Sequence, residues 1–151
     1  EENQNCYKIL QLFLNTLYTI SETEKNLELV ISIFKLKLLC FLGFTPRITE
    51  CINCKQKDEM KFFSLRENGF KCKACSRQDT SCIEMSDSTK NAINYILKAD
   101  SKKIFSFTLS ENCQKELVLI ANLYLNEKLE KEYKLEKTIL TLSFLSHRYF
   151  F

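Results

Sequence analysis

The sequence predicts an all-α fold, a helical bundle interrupted by a small hairpin insert that carries cysteines. The 151 residues are 45% hydrophobic and 12% aromatic, which is enough for a packed core. Only two glycines and one proline are present, whereas turn-rich β-sandwiches and barrels need many more. Four of the eight cysteines form two close pairs. We therefore expect one helical domain over 1–151, with the insert at about 47–83.

The first helix is predicted over residues 6–20. Its apolar residues recur at helical spacing, and they are Ile9, Leu10, Phe13, Leu14, Leu17 and Ile20. A capping box at Ser21–Glu24 predicts the start of a second helix, which runs to about Leu42. The apolar stripe of this second helix is wide, which predicts other helices around it. Gly43 and then Pro46 predict its end.

Residues 47–83 lose the helical period, and the dipeptide Asn68-Gly69 predicts a hairpin turn. Helical pattern returns where Ser86 or Asp87 can cap a helix. Ser110 can cap a last long helix, whose mixed-charge stretch at 127–137 is typical of a solvated face. The apolar tail 138–151 predicts a final core helix, a frayed end or a segment that occupies a partner's groove.

Charge and hydropathy narrow the classes of function. The formal net charge is +3, and four thiolates around a divalent ion would bring it to about +1. A strongly basic nucleic-acid binder normally carries a clear surplus, so any such role here must depend on local charge. No apolar run of about 18 residues predicts a membrane span, and no signal-peptide pattern opens the chain. Because the chain begins at Glu1, we expect a fragment or a trimmed protein.

The two cysteine pairs, Cys51 with Cys54 and Cys72 with Cys75, are 17 residues apart. This spacing predicts one zinc ion, because each two-residue gap lets a turn present two sulfurs and the hairpin brings the pairs together. With all four positions filled by cysteine, the Zn²⁺ would be structural. Two disulfides are an alternative that needs an oxidising compartment, whereas the other cysteines indicate a reducing one. A four-thiolate iron site has the same ligands and stays open.

The insert also carries seven basic residues that are candidates for binding nucleic acid: Lys55, Lys57, Lys61, Arg66, Lys71, Lys73 and Arg77. Phenylalanines interleave with them, and such a pattern can bind phosphates and stack bases. We favour the simpler interpretation, in which the lysines keep the insert soluble and the phenylalanines fill its core, because the local charge neutralises few phosphates. We find no catalytic constellation, so we expect a protein that is not an enzyme.

The segment Phe34–Cys54, with its Leu42-Gly43-Phe44, Pro46 and Cys-x-x-Cys string, resembles the RecO family of recombination mediators. Phe62-Phe63-Ser64, Asn68-Gly69 and Cys72–Cys75 are similar to the family's second half, and the resemblance covers about 6–137. Lys55 and Asn68 stand where the family often has glycine. The OB-fold that begins RecO proteins is not visible, so the likeness is to the C-terminal helical zinc-finger region.

The resemblance implies a non-enzymatic role in DNA repair by homologous recombination, in the bacterial cytoplasm at the nucleoid and without a membrane. It implies binding of single- and double-stranded DNA in the intact protein, of RecR, and of the acidic C-terminal tail of single-stranded DNA-binding protein. Such a tail needs an apolar groove edged by cations. Helices at 86–98 and 110–129 could form it with lysines 90, 98, 102, 103, 115 and 128.

Two further functions remain as alternatives. The chain could be a helical interaction scaffold that zinc braces, with no nucleic-acid role. It could also be a redox or iron protein built on the same four cysteines, which a visible absorption band would reveal.

Overall fold

The computed structural model describes the backbone of residues 2–148 and the side chains of residues 4–130. Over these residues the elements in chain order are α1 (Glu2–Glu22), α2 (Leu27–Phe41), β1 (Phe62–Ser64), β2 (Gly69–Lys71), α3 (Lys73–Ser76), β3 (Cys82–Glu84), α4 (Asp87–Lys98) and α5 (Glu111–Arg148). The predicted helical bundle is confirmed. A strictly all-α fold is not, because the insert contributes a three-stranded sheet.

The predicted start of the second helix is wrong and its predicted end is right. Helix α1 ends at Glu22, inside the proposed capping box, and α2 begins after Asn26. The Asn26 side chain accepts a hydrogen bond from the Leu29 N–H at 3.1 Å, so it satisfies one of the free donors at the helix start. At the other end Gly43 has φ of 91°, the left-handed conformation in which glycine commonly ends a helix.

Helix α2 lies at the centre of the bundle and packs against α1, α4 and α5. It buries five large apolar side chains, namely Leu29, Val30, Ile33, Leu36 and Leu39. A helix covered on several sides must be apolar over most of its circumference. The prediction that other helices surround α2 is therefore confirmed.

Charged side chains from the neighbouring helices form hydrogen bonds with both ends of helix α4. Ser86 caps its start as predicted, and Glu116 of α5 accepts hydrogen bonds there from the Ser86 N–H, the Ser86 hydroxyl and the Thr89 hydroxyl at 2.9, 2.7 and 2.6 Å. At the far end the buried Lys37 ammonium of α2 donates to three carbonyls, those of residues 96, 97 and 99. The helix dipole favours a negative charge such as Glu116 at the start of a helix and a positive charge such as Lys37 at its end.

The sheet has strand order β2-β1-β3, and both pairings are antiparallel. The hairpin turn predicted at Asn68-Gly69 joins β1 to β2, whereas β3 was not predicted. Phe63 pairs with Phe70 on β2 and with Ile83 on β3. Phe63 and Phe70 are fully buried, and the Phe63 ring meets Tyr124 of α5 edge-on at 5.1 Å. The sheet therefore belongs to the same apolar core as the helices.

Helix α1 forms as predicted, but most of its periodic apolar residues lie at the surface. Among its described side chains, from residue 4 onward, the buried ones are Leu12, Thr16 and Thr19. Leu10 is 54% exposed and Leu14 is 56% exposed. The helix packs on α2 along one narrow stripe, and the broader apolar face points away from it.

Helix α5 spans 38 residues and continues to Arg148. In the mixed-charge stretch, Lys128 is buried, so the predicted solvated face is wrong at that residue. The rest of the stretch beyond residue 130 and the packing of the tail 138–151 lie outside the side chains that the structure describes. None of the helices, over the described residues, combines the length and the apolar character that crossing a membrane requires.

Candidate metal centre

The four paired cysteines converge on one point. Their sulfur atoms all lie within 4.8 Å of one another, and the Sγ atoms of Cys54 and Cys72 are 3.7 Å apart. Four thiolates about 2.3 Å from a tetrahedral zinc ion would be separated by about 3.8 Å. All four are free thiols, whereas a disulfide needs sulfurs about 2.05 Å apart. The cluster could therefore hold one metal ion.

Two short backbone turns present the sulfurs. The first follows α2, and in it the Lys55 N–H donates to the Cys51 carbonyl at 2.9 Å. Lys55 has φ of 65°, the left-handed conformation that glycine adopts without cost. The second begins directly after β2, where the Ser76 N–H donates to the Cys72 carbonyl at 3.0 Å and starts the short helix α3. We name residues 51–59 the first knuckle and residues 72–78 the second knuckle.

The electrostatics of the cluster suit a cation. Burial disfavours ionisation of Cys51, but the backbone N–H groups of residues 54, 72 and 53 lower the pKa of its thiol to about 6. The pKa of Cys75 is instead raised to about 12, because its thiol is hydrogen-bonded to the Cys72 sulfur and because burial and neighbouring sulfurs disfavour another negative charge. A divalent ion would remove this repulsion and allow all four thiols to ionise.

The four ligands differ in their burial. Cys51 is 0% exposed and Cys72 is 2% exposed, and both belong to the common apolar core. Cys54 is exposed and Cys75 is half-buried. The candidate metal centre therefore lies at the boundary between the core and the surface, with one sulfur of each pair on either side.

A buried ion pair lies beneath the sheet, and it includes a residue that was predicted to bind nucleic acid. Lys71 is only 1% exposed, and its ammonium lies 2.9 Å from Asp79 and 2.7 Å from Glu67. Asp79 also accepts hydrogen bonds from Ser64 and Ser81. These donors, against the opposing effect of burial, hold the pKa of Asp79 well below its usual range. Lys71 is thus a structural residue of the interior, and no sequence pattern pointed to its partner Asp79.

The other six predicted basic residues are all exposed. Lys55 and Lys57 belong to the first knuckle, and Lys73 and Arg77 belong to the second. Lys61 and Arg66 lie instead on the hairpin. Lys55 lies 3.5 Å from Glu50, and because this pair is solvent-exposed it neutralises little of the local field.

Helix α5 fixes the hairpin through a lysine that was expected to edge a peptide groove. Lys128 is only 2% exposed, and its ammonium donates to the Leu65 carbonyl at 2.9 Å and to the Asn68 side chain. The same ammonium lies 4.9 Å from the centre of the Tyr124 ring, and the Tyr124 hydroxyl donates to the Phe44 carbonyl at 2.8 Å. These hydrogen bonds satisfy acceptors of the hairpin turn and of the segment after α2, and they attach the insert to the bundle.

The fold and the site together define a helical bundle with a four-cysteine candidate metal centre at the edge of its core. The family described as "Recombination protein O C terminal" matches residues 1–137. The chain is 36% identical over 134 residues to the DNA repair protein RecO of Acetivibrio thermocellus, covering 87% of this chain and 53% of that protein. It is 32% identical over 135 residues to that of Alkaliphilus metalliredigens, covering 89% and 50%.

The chain belongs to the RecO family of DNA repair proteins and corresponds to its C-terminal region. This confirms the resemblance found in the sequence. The chain spans about half the length of the curated relatives it matches.

Proposed function

We propose that this chain is the non-catalytic C-terminal part of a recombination mediator, and that one structural zinc ion stabilises it. The observation that supports this most directly is the spacing of the four sulfurs in a chain matched to the family over residues 1–137. Four protein ligands leave no coordination position for water or substrate, which favours a structural ion. We place the protein in the bacterial cytoplasm, in association with the nucleoid.

The metal is tested by elemental analysis of the purified chain. We expect one zinc per chain and no visible absorption, and we expect Cys54→Ser to reduce the metal content. Cys6→Ser is the matched control, because Cys6 is also exposed but lies outside the cluster. A coloured protein with one iron per chain would show that the site binds iron instead of zinc. An absence of metal would refute the site.

Binding of DNA is proposed through the six exposed basic residues of the insert. Lysine and arginine side chains attract the phosphate backbone without reading the sequence, so affinity should fall steeply with salt. We expect Lys73→Gln with Arg77→Gln to weaken binding to a labelled single strand and to a labelled duplex in fluorescence anisotropy. Lys102→Gln with Lys103→Gln removes the same charge from exposed positions outside the insert. Equal losses of affinity in the two double variants would mean that the insert does not bind DNA and acts only as a scaffold.

For the acidic tail peptide we propose a different place from the one that the sequence indicated. The cavity between the start of α4 and α5 is lined by three carboxylates, those of residues 84, 87 and 116, which would repel an acidic peptide. A larger cavity of about 620 Å³ lies between α1, α2 and the end of α4. Tyr7, Phe41 and Ala99 give it apolar walls, and the exposed Lys8 supplies a cation. Asp100 also lines the cavity, beside the buried Lys37 ammonium that donates to backbone carbonyls. This combination fits an apolar side chain that is followed by a carboxylate.

The tail proposal is tested by titrating the chain with an acidic peptide that ends in an apolar residue. We expect a dissociation constant of roughly tens of micromolar at low salt, and weaker binding to Lys8→Glu. Lys115→Glu is the control, because Lys115 lines a separate cavity beside Glu28 and Glu111. A chain that binds no peptide, or variants that bind equally, would refute this site. Binding of RecR is tested separately by co-elution in size-exclusion chromatography.

A further inference from the structure

Burial divides the insert into two parts with different supports. The strands β1 and β2 carry the fully buried Phe63, Ser64 and Phe70. By contrast, the first knuckle has a run of seven consecutive exposed residues, 53–59. In the second knuckle only Cys72 is buried before Asp79. The sheet is therefore part of the core, whereas most of each knuckle is surface.

The sheet is held by contacts that involve no ligand sulfur. Asp79 joins Ser64 of β1, Lys71 of β2 and the segment that leads into β3 through hydrogen bonds of 2.5 to 2.9 Å. Lys128 of α5 closes the hairpin turn. The buried aromatic pair of β1 and β2 packs on Tyr124. Each of these contacts would persist with the sulfurs unligated.

The knuckles have few supports of that kind. Two residues of the first knuckle, Lys55 and Glu59, have positive φ values of 65° and 50°, a conformation that side chains disfavour by about 1 to 2 kcal/mol. Its side-chain hydrogen bonds lie at least partly exposed to solvent; they run from Lys55 to Ile52, from Gln56 to Asp58 and, at 3.4 Å, from Asn53 to Glu67 of the hairpin. Each knuckle is anchored where it begins, by the buried Cys51 and Cys72 and by the Ile52 N–H, which donates to the Phe70 carbonyl at 3.0 Å. Beyond these points, the exposed Cys54 and the half-buried Cys75 would be fixed to one another only through a shared ligand.

The knuckles also carry most of the exposed positive charge of the insert. Lys55, Lys57, Lys73 and Arg77 each lie within three residues of a predicted ligand. Because the four sulfurs meet within 4.8 Å, an ion at their centre would hold all four cations close together. Lys61 and Arg66 belong to the hairpin, whose position does not depend on the cluster.

We propose that the metal ion orders the two knuckles and their four cations, and that the sheet folds without it. Metal occupancy then acts as a switch on a cationic surface whose ligand is the phosphodiester backbone of single-stranded nucleic acid. This last step rests on the proposed function of the insert. With the metal lost, the cations disperse on mobile loops and binding must supply the entropy of ordering them.

Hydrogen exchange measured by mass spectrometry tests the ordering. The metal-loaded chain is compared with the chelated chain and with the double variant Cys54→Ser, Cys75→Ser, which leaves both buried cysteines in place. We expect exchange to quicken about tenfold or more at 53–58 and 73–78, and to change by less than about twofold at 62–64 and 69–71. Loss of protection in the strands, or unchanged protection in the knuckles, would overturn the proposal.

Anisotropy with a labelled single strand tests the switch. Two variants remove the same charge, Lys73→Gln with Arg77→Gln on the second knuckle and Lys61→Gln with Arg66→Gln on the hairpin. In the metal-loaded chain, both double variants should weaken binding of the strand. In the metal-free chain, the double variant on the knuckle should change the affinity by less than about twofold, whereas the double variant on the hairpin should still weaken binding. Equal affinity of the loaded and metal-free chains would overturn the switch. If neither form binds DNA, the proposed function fails, and the exchange data alone decide the ordering.

Discussion

Helix α1 and the cysteine insert use their apolar residues in opposite ways. In α1, Leu10, Leu14 and Leu17 recur at helical spacing and yet are about half exposed. In the insert no period is visible, and yet Phe63 and Phe70 are among the most deeply buried side chains of the described residues. Burial in this protein therefore does not follow the regularity of the pattern.

The difference lies in the number of neighbours. Helix α1 packs mainly on α2, so only the stripe that includes Leu12 can be covered. The sheet of the insert is covered by α5 on its apolar face and has the Lys71–Asp79 pair among its buried contacts. A periodic pattern thus identifies a helix, whereas the surrounding elements determine how much of its apolar surface is removed from water.

The largest expected effect tests the claim that the sheet is core. Phe63→Ala should lower the free energy of unfolding by about 3 to 5 kcal/mol, because it empties a fully enclosed site. Tyr18→Ala on α1 is the aromatic control, since Tyr18 is 67% exposed, and it should cost less than about 1 kcal/mol. Urea titration of both variants measures the difference, and equal costs would contradict the comparison.

The buried ion pair should have the next largest effect. Asp79→Asn leaves the buried Lys71 ammonium with Glu67 as its remaining charged partner and should cost about 2 to 3 kcal/mol. The folded-state pKa of Asp79 is depressed, so its contribution is present above the unfolded pKa of about 4 and declines as the pH falls below it. The gap in unfolding free energy between wild type and variant should therefore narrow from pH 4 downward. A gap that stays constant with pH would exclude a charged Asp79.

The link between the insert and α5 should matter less. Lys128→Met keeps an unbranched apolar stem but removes the ammonium and its hydrogen bonds to the hairpin turn, which should cost about 2 kcal/mol. Lys115→Met on the exposed face of α5 should change stability by less than about 0.5 kcal/mol. Thermal unfolding of the two variants provides the test, and a Lys128 variant as stable as wild type would mean that aromatic packing and backbone hydrogen bonds position the insert without this lysine.

The smallest expected effect concerns the exposed face of α1. Leu14→Ala should change the free energy of unfolding by less than about 0.5 kcal/mol. The leucine side chain is more than half exposed in the folded protein, and alanine has the higher helix propensity. Leu12→Ala, two residues earlier and fully buried, should cost about 3 kcal/mol. If Leu14→Ala were as costly as Leu12→Ala, the face would have to be covered in solution.

Several features were predictable because their causes are local. Gly43 ends α2 and Ser86 starts α4 through hydrogen bonds within a few residues of each. The capping box at Ser21–Glu24 failed for the same kind of reason, since Asn26 offers a competing cap nearby. The cysteine spacing predicted the convergence of four sulfurs because two hairpin-joined turns are sufficient to produce it.

The sequence by itself determined the helices, the hairpin turn and the cysteine cluster. Only the tertiary structure decided that Lys71 and Lys128 lie inside the protein and that the apolar face of α1 lies outside. Lys128 meets the Leu65 carbonyl 63 residues away, and a contact of that range leaves no trace in the local pattern. A charge can be buried only where distant partners compensate its lost hydration, so its position depends on the whole fold.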